Sequence, residues 1–261
     1  MTNGMEILVT GGTGTLGSKV VERLRLAGIE PRILSRCNRP GTVRGDLLTG
    51  KGVEAAVHGV DTIVHCASSP FRKARRTDVG GTGRLLEIAS RAGVSHLVYV
   101  SIVGIDRAQS YPYYRVKLDT ERLIEGSHIP HTTLRATQFY DLILMAVRAL
   151  ARLPVVPVPK GLIGQPIDSG EVADRMVELA LSEPAGRVED VGGPEVRTVD
   201  DVVSAYLDVT VMRKTFTLPL PGKTVRAMRS GALTCPENRY GKVRWEEFLR
   251  EEMHDGPGSR H

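Results

Sequence analysis

Three cysteines in 261 residues are few, and their placement excludes the chemistry that cysteine most often brings. Cys37, Cys66 and Cys235 form no C-x-x-C pair and have no histidine at zinc-ligand spacing, so no metal site is expected. An odd count without a secretory leader reads as free thiols in packing roles. No run of about 18 apolar residues occurs, which argues against a membrane span. Met1 to Met5 is polar and too short for a secretory signal, so a soluble, cytoplasmic protein is the expectation. Aromatics are 5% of the chain, and the densest basic cluster, "FRKARR" at residues 71 to 76, holds one, Phe71. Base stacking on single strands needs more than that, so the cluster reads as a mobile, solvated loop, and neither nucleic acid nor a membrane is expected as partner.

The net charge of +5 instead suits an anionic small molecule such as a nucleotide phosphate. Internal repeats are missing as well. From "MEILVT" onward, short apolar runs alternate with helical patterns. "TLGSKVVERLRLAG" has Leu16, Val20, Val21, Leu24 and Leu26 spaced for one buried face. "PRILSR" reads as a second strand and "GTVRGDL" as a weak third, with "GKGVEAAVHGV" a short helix. "DTIVHCAS" reads as a strand covered on both faces. A helix in "GGTGRLLEIASRAGV", a strand in "SHLVYVSIVG", a helix in "YYRVKLDTERLIEGS" and a strand in "HTTLRATQF" follow. Repeated strand–helix–strand units specify an α/β fold on a parallel sheet.

After residue 140 the texture changes. "LPVVPVPKGLIGQP" is too rich in proline and glycine for a central strand. "DSGEVADRMVELALSEP" reads as a helix capped by Asp168 or Ser169, and "TVDDVVSAYLDVT" and "RWEEFLREEM" as further helices before a frayed tail, "HDGPGSRH". Residues 1–140 are thus expected to form a nucleotide-binding core. Residues 141–261 would complete the sheet and supply a substrate lobe, with Phe139 to Leu162 and the stretch around Val211 to Leu233 as a mostly aliphatic pocket wall.

The first candidate site is "ILVTGGTGTLG", residues 7 to 17, in which Gly11, Gly14 and Gly17 make a G-x-x-G-x-x-G pattern between strand and helix. The first glycine permits a tight turn, the second admits a pyrophosphate close to the backbone, and the third lets helix pack on strand. Amides of the first helical turn, at Thr15, Leu16 and Gly17, then face the phosphates along the helix dipole, and a Thr13 or Thr15 hydroxyl can add a bond. At the end of the second strand, where a carboxylate would hold the free ribose hydroxyls of NAD, stand Ser35 and Arg36, with Arg39 nearby. A guanidinium holds a 2′-phosphate and a carboxylate repels it, which favours NADP(H). Asp46, followed by Leu47, is placed to accept from an adenine amino group, and Ala67 and Ser68 to line the middle of the cofactor.

The second candidate is Tyr113 and Lys117 in "YPYYRVK", four residues apart on one helix face. Such a lysine lowers a tyrosine's pKa by its charge while holding a ribose hydroxyl, and the tyrosine then serves as acid toward a carbonyl oxygen. Ser101, twelve residues before Tyr113 at the end of a strand, is placed to hydrogen-bond the same oxygen. Tyr114 is adjacent, so either tyrosine is a candidate for the inward position, and Pro112 restrains the start of the helix.

With these residues in view, the chain resembles the short-chain dehydrogenase/reductase superfamily, in its atypical NmrA-like branch of NAD(P)-binding Rossmann proteins. "TGGTGTLG", "LSR", "GDL", "VYVSIVGID", "PYYRVKLDTE" and "TLRATQFYD" carry the resemblance, and "VGGPEVRTVDDV" and "GKVRWEEFL" extend it. It implies a Rossmann-type doubly wound parallel sheet with a small C-terminal substrate lobe, NADP(H) at the sheet's C-terminal edge, and contacts from Thr137 and Gln138 near the nicotinamide. Some members of that branch reduce C=C, C=O or quinone bonds, and others bind NADP as redox-sensing regulators. The retained Ser101, Tyr113 and Lys117 favour a reductase of a small apolar carbonyl, enone or quinone. The alternatives are a sensor with a protein partner and, against Arg36, a sugar-nucleotide epimerase.

Overall fold

The structure, a computed structural model, describes residues 5–69, 74–210 and 213–254. The elements run β1 (Ile7–Thr10), α1 (Thr15–Leu26), β2 (Arg32–Ser35), β3 (Val43–Arg44), α2 (Val53–Val57), β4 (Thr62–His65), α3 (Gly81–Ala92), β5 (His96–Ile102), α4 (Pro112–Glu125) and β6 (His131–Ala136). There follow α5 (Tyr140–Leu150), β7 (Val155–Pro159), β8 (Ile163–Gly164), α6 (Ser169–Ala180), β9 (Gly186–Arg187), β10 (Arg197–Thr198), α7 (Val199–Val209), β11 (Lys214–Leu218), α8 (Lys223–Arg229) and α9 (Trp245–His254). A π-helical turn, Arg75–Gly80, leads into α3. Among the described residues no helix is long and apolar enough to cross a membrane.

The chain divides into two compact units that interleave along the sequence. The first holds residues up to Ser101, Tyr111–Arg135 and Gly170–Glu189, and the second holds Ile102–Ser110, Ala136–Ser169 and the chain from Asp190. A seven-stranded sheet in the order β3-β2-β1-β4-β5-β6-β9 organises the first. The pairings of β1 with β2 and β4, of β2 with β3, of β4 with β5 and of β6 with β9 are parallel. This is the doubly wound Rossmann order, and it reverses direction between β1 and β4, where such sheets open a crevice at their carboxyl ends. Leu8, Ile63 and Leu97 of the strands meet Val53, Val57, Leu85, Ala89 and Ile124 of the helices in one apolar cluster. Each of the valines, leucines and isoleucines among them contributes about 1.5–3 kcal/mol on burial.

In the second unit, the chain's one tryptophan, Trp245, lies 5.3 Å from Tyr140 and 5.6 Å from Phe248 between ring centroids. Its indole N–H donates to the Val202 carbonyl at 3.0 Å, so the polar edge of a fully buried ring is satisfied. β7 and β11 form a parallel two-stranded sheet in which Pro157 stands opposite Phe216, so the proline-rich segment does become a strand but never a central one.

Several expectations are corrected. The expected strand "HTTLRATQF" leaves the sheet after Ala136, and α5 follows at Tyr140, where no helix was expected. Within "FRKARR", Ala74, Arg75 and Arg76 are helical instead of looped, and Arg75 is tied to Asp119 of α4 at 2.7 Å. Residues 71–73 of that cluster, Val211 of the expected pocket wall, and 255–261 of the expected frayed tail lie outside the described residues.

α4 is pinned to β6 by a buried ion pair. Arg135 Nε and Nη2 donate to Glu121 Oε1 and Oε2 at 2.8 and 2.6 Å, with both side chains about 5% exposed or less. A fork-to-fork pair satisfies both groups in low dielectric, and removing one partner strands a charge. Glu121→Ala is expected to lower unfolding free energy by about 3–5 kcal/mol in chemical denaturation. The double change Glu121→Leu with Arg135→Met is expected to recover most of that loss.

Candidate active site

The turn from β1 into α1 is built from glycines because side chains would collide there. Gly11 has φ +68°, and a β-carbon on it would stand 2.6 Å from the Ala67 nitrogen. On Gly17 a β-carbon would stand 2.1 Å from the Gly11 carbonyl oxygen. Gly14 is the N-cap of α1 and offers the first amides no side-chain acceptor, so they point outward unoccupied by the protein's own capping group. That is the cradle an anionic phosphate requires.

Beside this turn lies a cavity of about 350 Å³ whose walls include Gly11, Thr13, Gly14, Ser35, Arg36, Asp46, Leu47, Ala67 and Ser68. Leu34, Gly45, Leu48, Cys66, Ser69 and Thr77 also line it and were not singled out from the sequence. Thr15 is exposed on the first turn of α1, whereas Leu16 and Gly17 are buried and present only backbone to the N-terminal end. Arg36 is exposed and makes no ion pair among the described residues, so its guanidinium is available to a phosphate. Arg39 is exposed on the turn that Thr42 closes. Asp46 has part of its carboxylate engaged, since Oδ1 accepts the Leu48 N–H at 2.9 Å. The Ser35 hydroxyl accepts the Cys37 N–H at 3.2 Å.

α4 begins with Pro112 at its first position, where a missing N–H costs nothing. Tyr113 and Tyr114 part company at once. Tyr114 packs edge-on against Tyr111, with centroids 4.8 Å apart, while the Tyr113 hydroxyl lies 2.6 Å from Ser68 Oγ. Ser68 therefore both lines the cavity and touches the phenol. It also donates to Asp78 Oδ2 at 2.6 Å, and Asp78 Oδ1 accepts the Ser69 N–H at 3.0 Å. Asp78 sits on the π-helical turn and is buried, and sequence reasoning missed it. Its one signal, an acid two residues after a basic run and shortly before two glycines, does not reveal a partner ten residues upstream.

The expected Ser101–Tyr113–Lys117 set is only partly brought together. Lys117 is buried, its ammonium donates to the Val100 carbonyl at 2.8 Å, and it lies 4.2 Å from the centroid of the Tyr99 ring. The buried Ser101 hydroxyl has no hydrogen-bond partner among the described residues, so it is not joined to Tyr113. The expected lowering of the tyrosine pKa by lysine is absent. Burial instead pushes Tyr113 up to about 12, with the Asp78 charge adding to the rise and the Ser68 bond opposing it. Burial also draws Lys117 down to about 8, against the pull of Asp78 and Glu121. At neutral pH the pair is a protonated phenol beside a largely charged amine.

Thr137 and Gln138 belong to the second unit, where their side chains are committed. Thr137 donates to the Gln165 carbonyl, and Gln138 donates to the Leu233 carbonyl at 3.0 Å and accepts the Gln165 N–H at 3.2 Å. That unit holds its own cavity of about 410 Å³, with Leu144, Met145 and Phe248 beside Asp141, Arg148 and Glu252.

A Rossmann sheet with a glycine-lined crevice at its switch point suits a nicotinamide dinucleotide-binding protein. Residues 11–183 match the family described as NAD(P)H-binding, and the chain belongs to that family. It is similar to the Photosystem II assembly factor Ycf39 of Trieres chinensis, 25% identical over 215 residues, which are 77% of this chain and 67% of that protein. It is also similar to the (4-alkanoyl-5-oxo-2,5-dihydrofuran-3-yl)methyl phosphate reductase of Streptomyces griseus subsp. griseus, 29% identical over 206 residues, covering 74% and 69% of the two chains. The chain spans about half to two thirds of the length of the curated relatives it matches. In fold it is similar to the NADPH-dependent quinone oxidoreductase QOR2 of Escherichia coli complexed with NADPH, with a TM-score of 0.77 at 16% identity over 94% of this chain and 99% of that one.

His65, whose titration also feels the Lys117 charge, is kept neutral in the interior. His65 is buried between Thr10 Oγ1 at 2.6 Å and Thr82 Oγ1 at 2.9 Å, and burial holds its pKa down at about 3 instead of 6.5. The unfolded chain therefore takes up a proton that the folded one refuses. Stability contributed by neutral His65 is complete above pH 6.5 and is lost as pH falls toward 3. Between pH 6.5 and pH 5 this amounts to about 2 kcal/mol. Urea denaturation at the two pH values should show that loss in the wild type and not in His65→Asn.

Proposed function

We propose that the protein is an NADPH-dependent reductase of a small, largely apolar carbonyl, enone or quinone substrate. The observation that carries this reading is Ser68, which lines the dinucleotide cavity and holds the Tyr113 phenol. Bound there, a reduced nicotinamide dinucleotide supplies hydride. The α1 amides at Thr15 to Gly17 hold the pyrophosphate, and Arg36 holds the 2′-phosphate that distinguishes NADPH. Tyr113, kept protonated by burial, donates to the substrate oxygen, and Lys117 orients the ribose with its ammonium hydrogens not given to Val100. The Streptomyces griseus relative, a reductase by name, supports this reading.

Tyr113→Phe is expected to lower kcat about 100- to 10,000-fold over a panel of carbonyls, enones and quinones while NADPH still binds. Arg36→Ala is expected to raise the KM for NADPH about 10- to 100-fold and to leave that for NADH unchanged. Tight NADPH binding without turnover of any panel member contradicts the reading.

A second reading, a non-catalytic NADP(H)-binding regulator with a protein partner, is favoured by the Ser101 hydroxyl that fails to reach Tyr113 and by the assembly factor among the relatives. Pull-downs with and without NADPH test it, and a partner retained equally in both sinks it.

A further inference from the structure

Asp78 has no part in the reaction as described, yet it stands two short contacts from the reacting phenol. Only 2% of it is exposed. Ser68 Oγ lies 2.6 Å from Asp78 Oδ2 on one side and 2.6 Å from Tyr113 Oη on the other. A serine hydroxyl has one proton to donate, so it cannot donate both ways. With Asp78 ionised, Ser68 donates to the carboxylate and Tyr113 donates to Ser68. The phenolic proton is then turned away from a substrate. With Asp78 protonated, the chain reverses: Asp78 donates to Ser68, Ser68 donates to Tyr113, and the phenolic proton is free for a substrate oxygen. The heavy atoms occupy the same places in both states.

We propose that Asp78 is a positioning residue that, through Ser68, sets the direction of the Tyr113 hydroxyl proton and so gates its delivery. This rests on Tyr113 being the proton donor of the reductase reading. In one turnover the substrate gains hydride from the reduced dinucleotide, which is oxidised, and a proton from Tyr113. The Ser68 proton passes to the phenolate oxygen and the Asp78 proton to Ser68. The resulting carboxylate regains one proton from water. Other charged and titratable groups face the carboxyl on several sides. Lys117 and Tyr113 face it from α4 and Tyr99 from β5. At the base of α3, Arg84 is engaged by the Leu47 and Gly80 carbonyls, and on the same turn Arg75 is paired with Asp119. Burial raises the pKa of the Asp78 carboxyl, which Ser68, Lys117 and Ser69 oppose.

Asp78→Asn separates this role from a structural one. Its carbonyl oxygen still accepts from Ser69, while its amide can only donate to Ser68, which locks the reversed chain at every pH. The protein, free of cofactor, is labelled at tyrosine ¹³Cζ, and the Tyr113 signal is assigned through Tyr113→Phe. The wild-type signal is expected to move with a carboxyl titration, and the Asp78→Asn and Ser68→Ala signals to stay still. For reduction, kcat/KM is expected to fall about tenfold per pH unit above that midpoint in the wild type. Across about pH 5 to 7, below the Lys117 titration, it should change less than about twofold in Asp78→Asn. A Tyr113 signal that ignores pH in the wild type, or moves equally in Asp78→Asn, overturns the proposal and leaves the reductase reading standing. Full activity of Tyr113→Phe overturns Tyr113 as the proton donor and the delivery role with it, whereas tight NADPH binding with no turnover in the wild type overturns the reductase reading.

Discussion

The close approach of bare backbone at Gly11 to the end of β4 sets the geometry of the first unit. A β-carbon at Gly11 would lie inside van der Waals distance of both the nitrogen and the α-carbon of Ala67. Only glycine lets the chain leave β1, turn and start α1 while β4 ends against it. Because the strand order reverses between β1 and β4, this contact falls where the sheet opens. Ala67 and Ser68 become walls of the crevice as a direct result. The same contact fixes the position of the hydroxyl that meets Tyr113.

α4 reads the other side of that junction. Tyr113, Lys117, Glu121 and Ile124 recur at helical spacing, and the last three are buried. Ile124 joins the apolar cluster, Glu121 is locked to Arg135, and Lys117 reaches the Val100 carbonyl. One helix face is thus held at three levels below the tyrosine. The rigidity has an electrostatic cost, since a buried lysine and a buried carboxyl must coexist with little solvent. The displaced pKa values of Lys117, Tyr113 and Asp78 are that cost, and such displaced groups beside a crevice are a frequent mark of function.

Local patterns made the sheet, the phosphate turn and the Tyr–Lys face legible in the amino-acid sequence. Each depends on spacing within one strand–turn–helix segment. What was hidden depends on folding back. Asp78 meets Ser68 only because the π-helical turn returns the chain to the end of β4, and a composition dominated by arginine and lysine gives no sign of it. Ser101 has the right spacing, but its hydroxyl finds no partner among the described residues, since spacing along a strand does not fix where a side chain points. The choice between Tyr113 and Tyr114 needed Ser68 and Tyr111 in place. α5 escaped notice although Tyr140, Leu144 and Val147 recur at helical spacing, because the exposed apolar Leu142 and Met145 blur that buried face. β11 escaped because it is exposed along most of its length and pairs with a strand that contains two prolines.

On the proposed reading, the amino-terminal amides of α1 hold a dinucleotide and Arg36 selects its phosphorylated form. Calorimetric titration of the purified protein with NADPH and then NADH tests this most directly. Heat of binding with both nucleotides, and tighter association with NADPH, is the predicted result. No heat with either, or a clear preference for NADH, would contradict it.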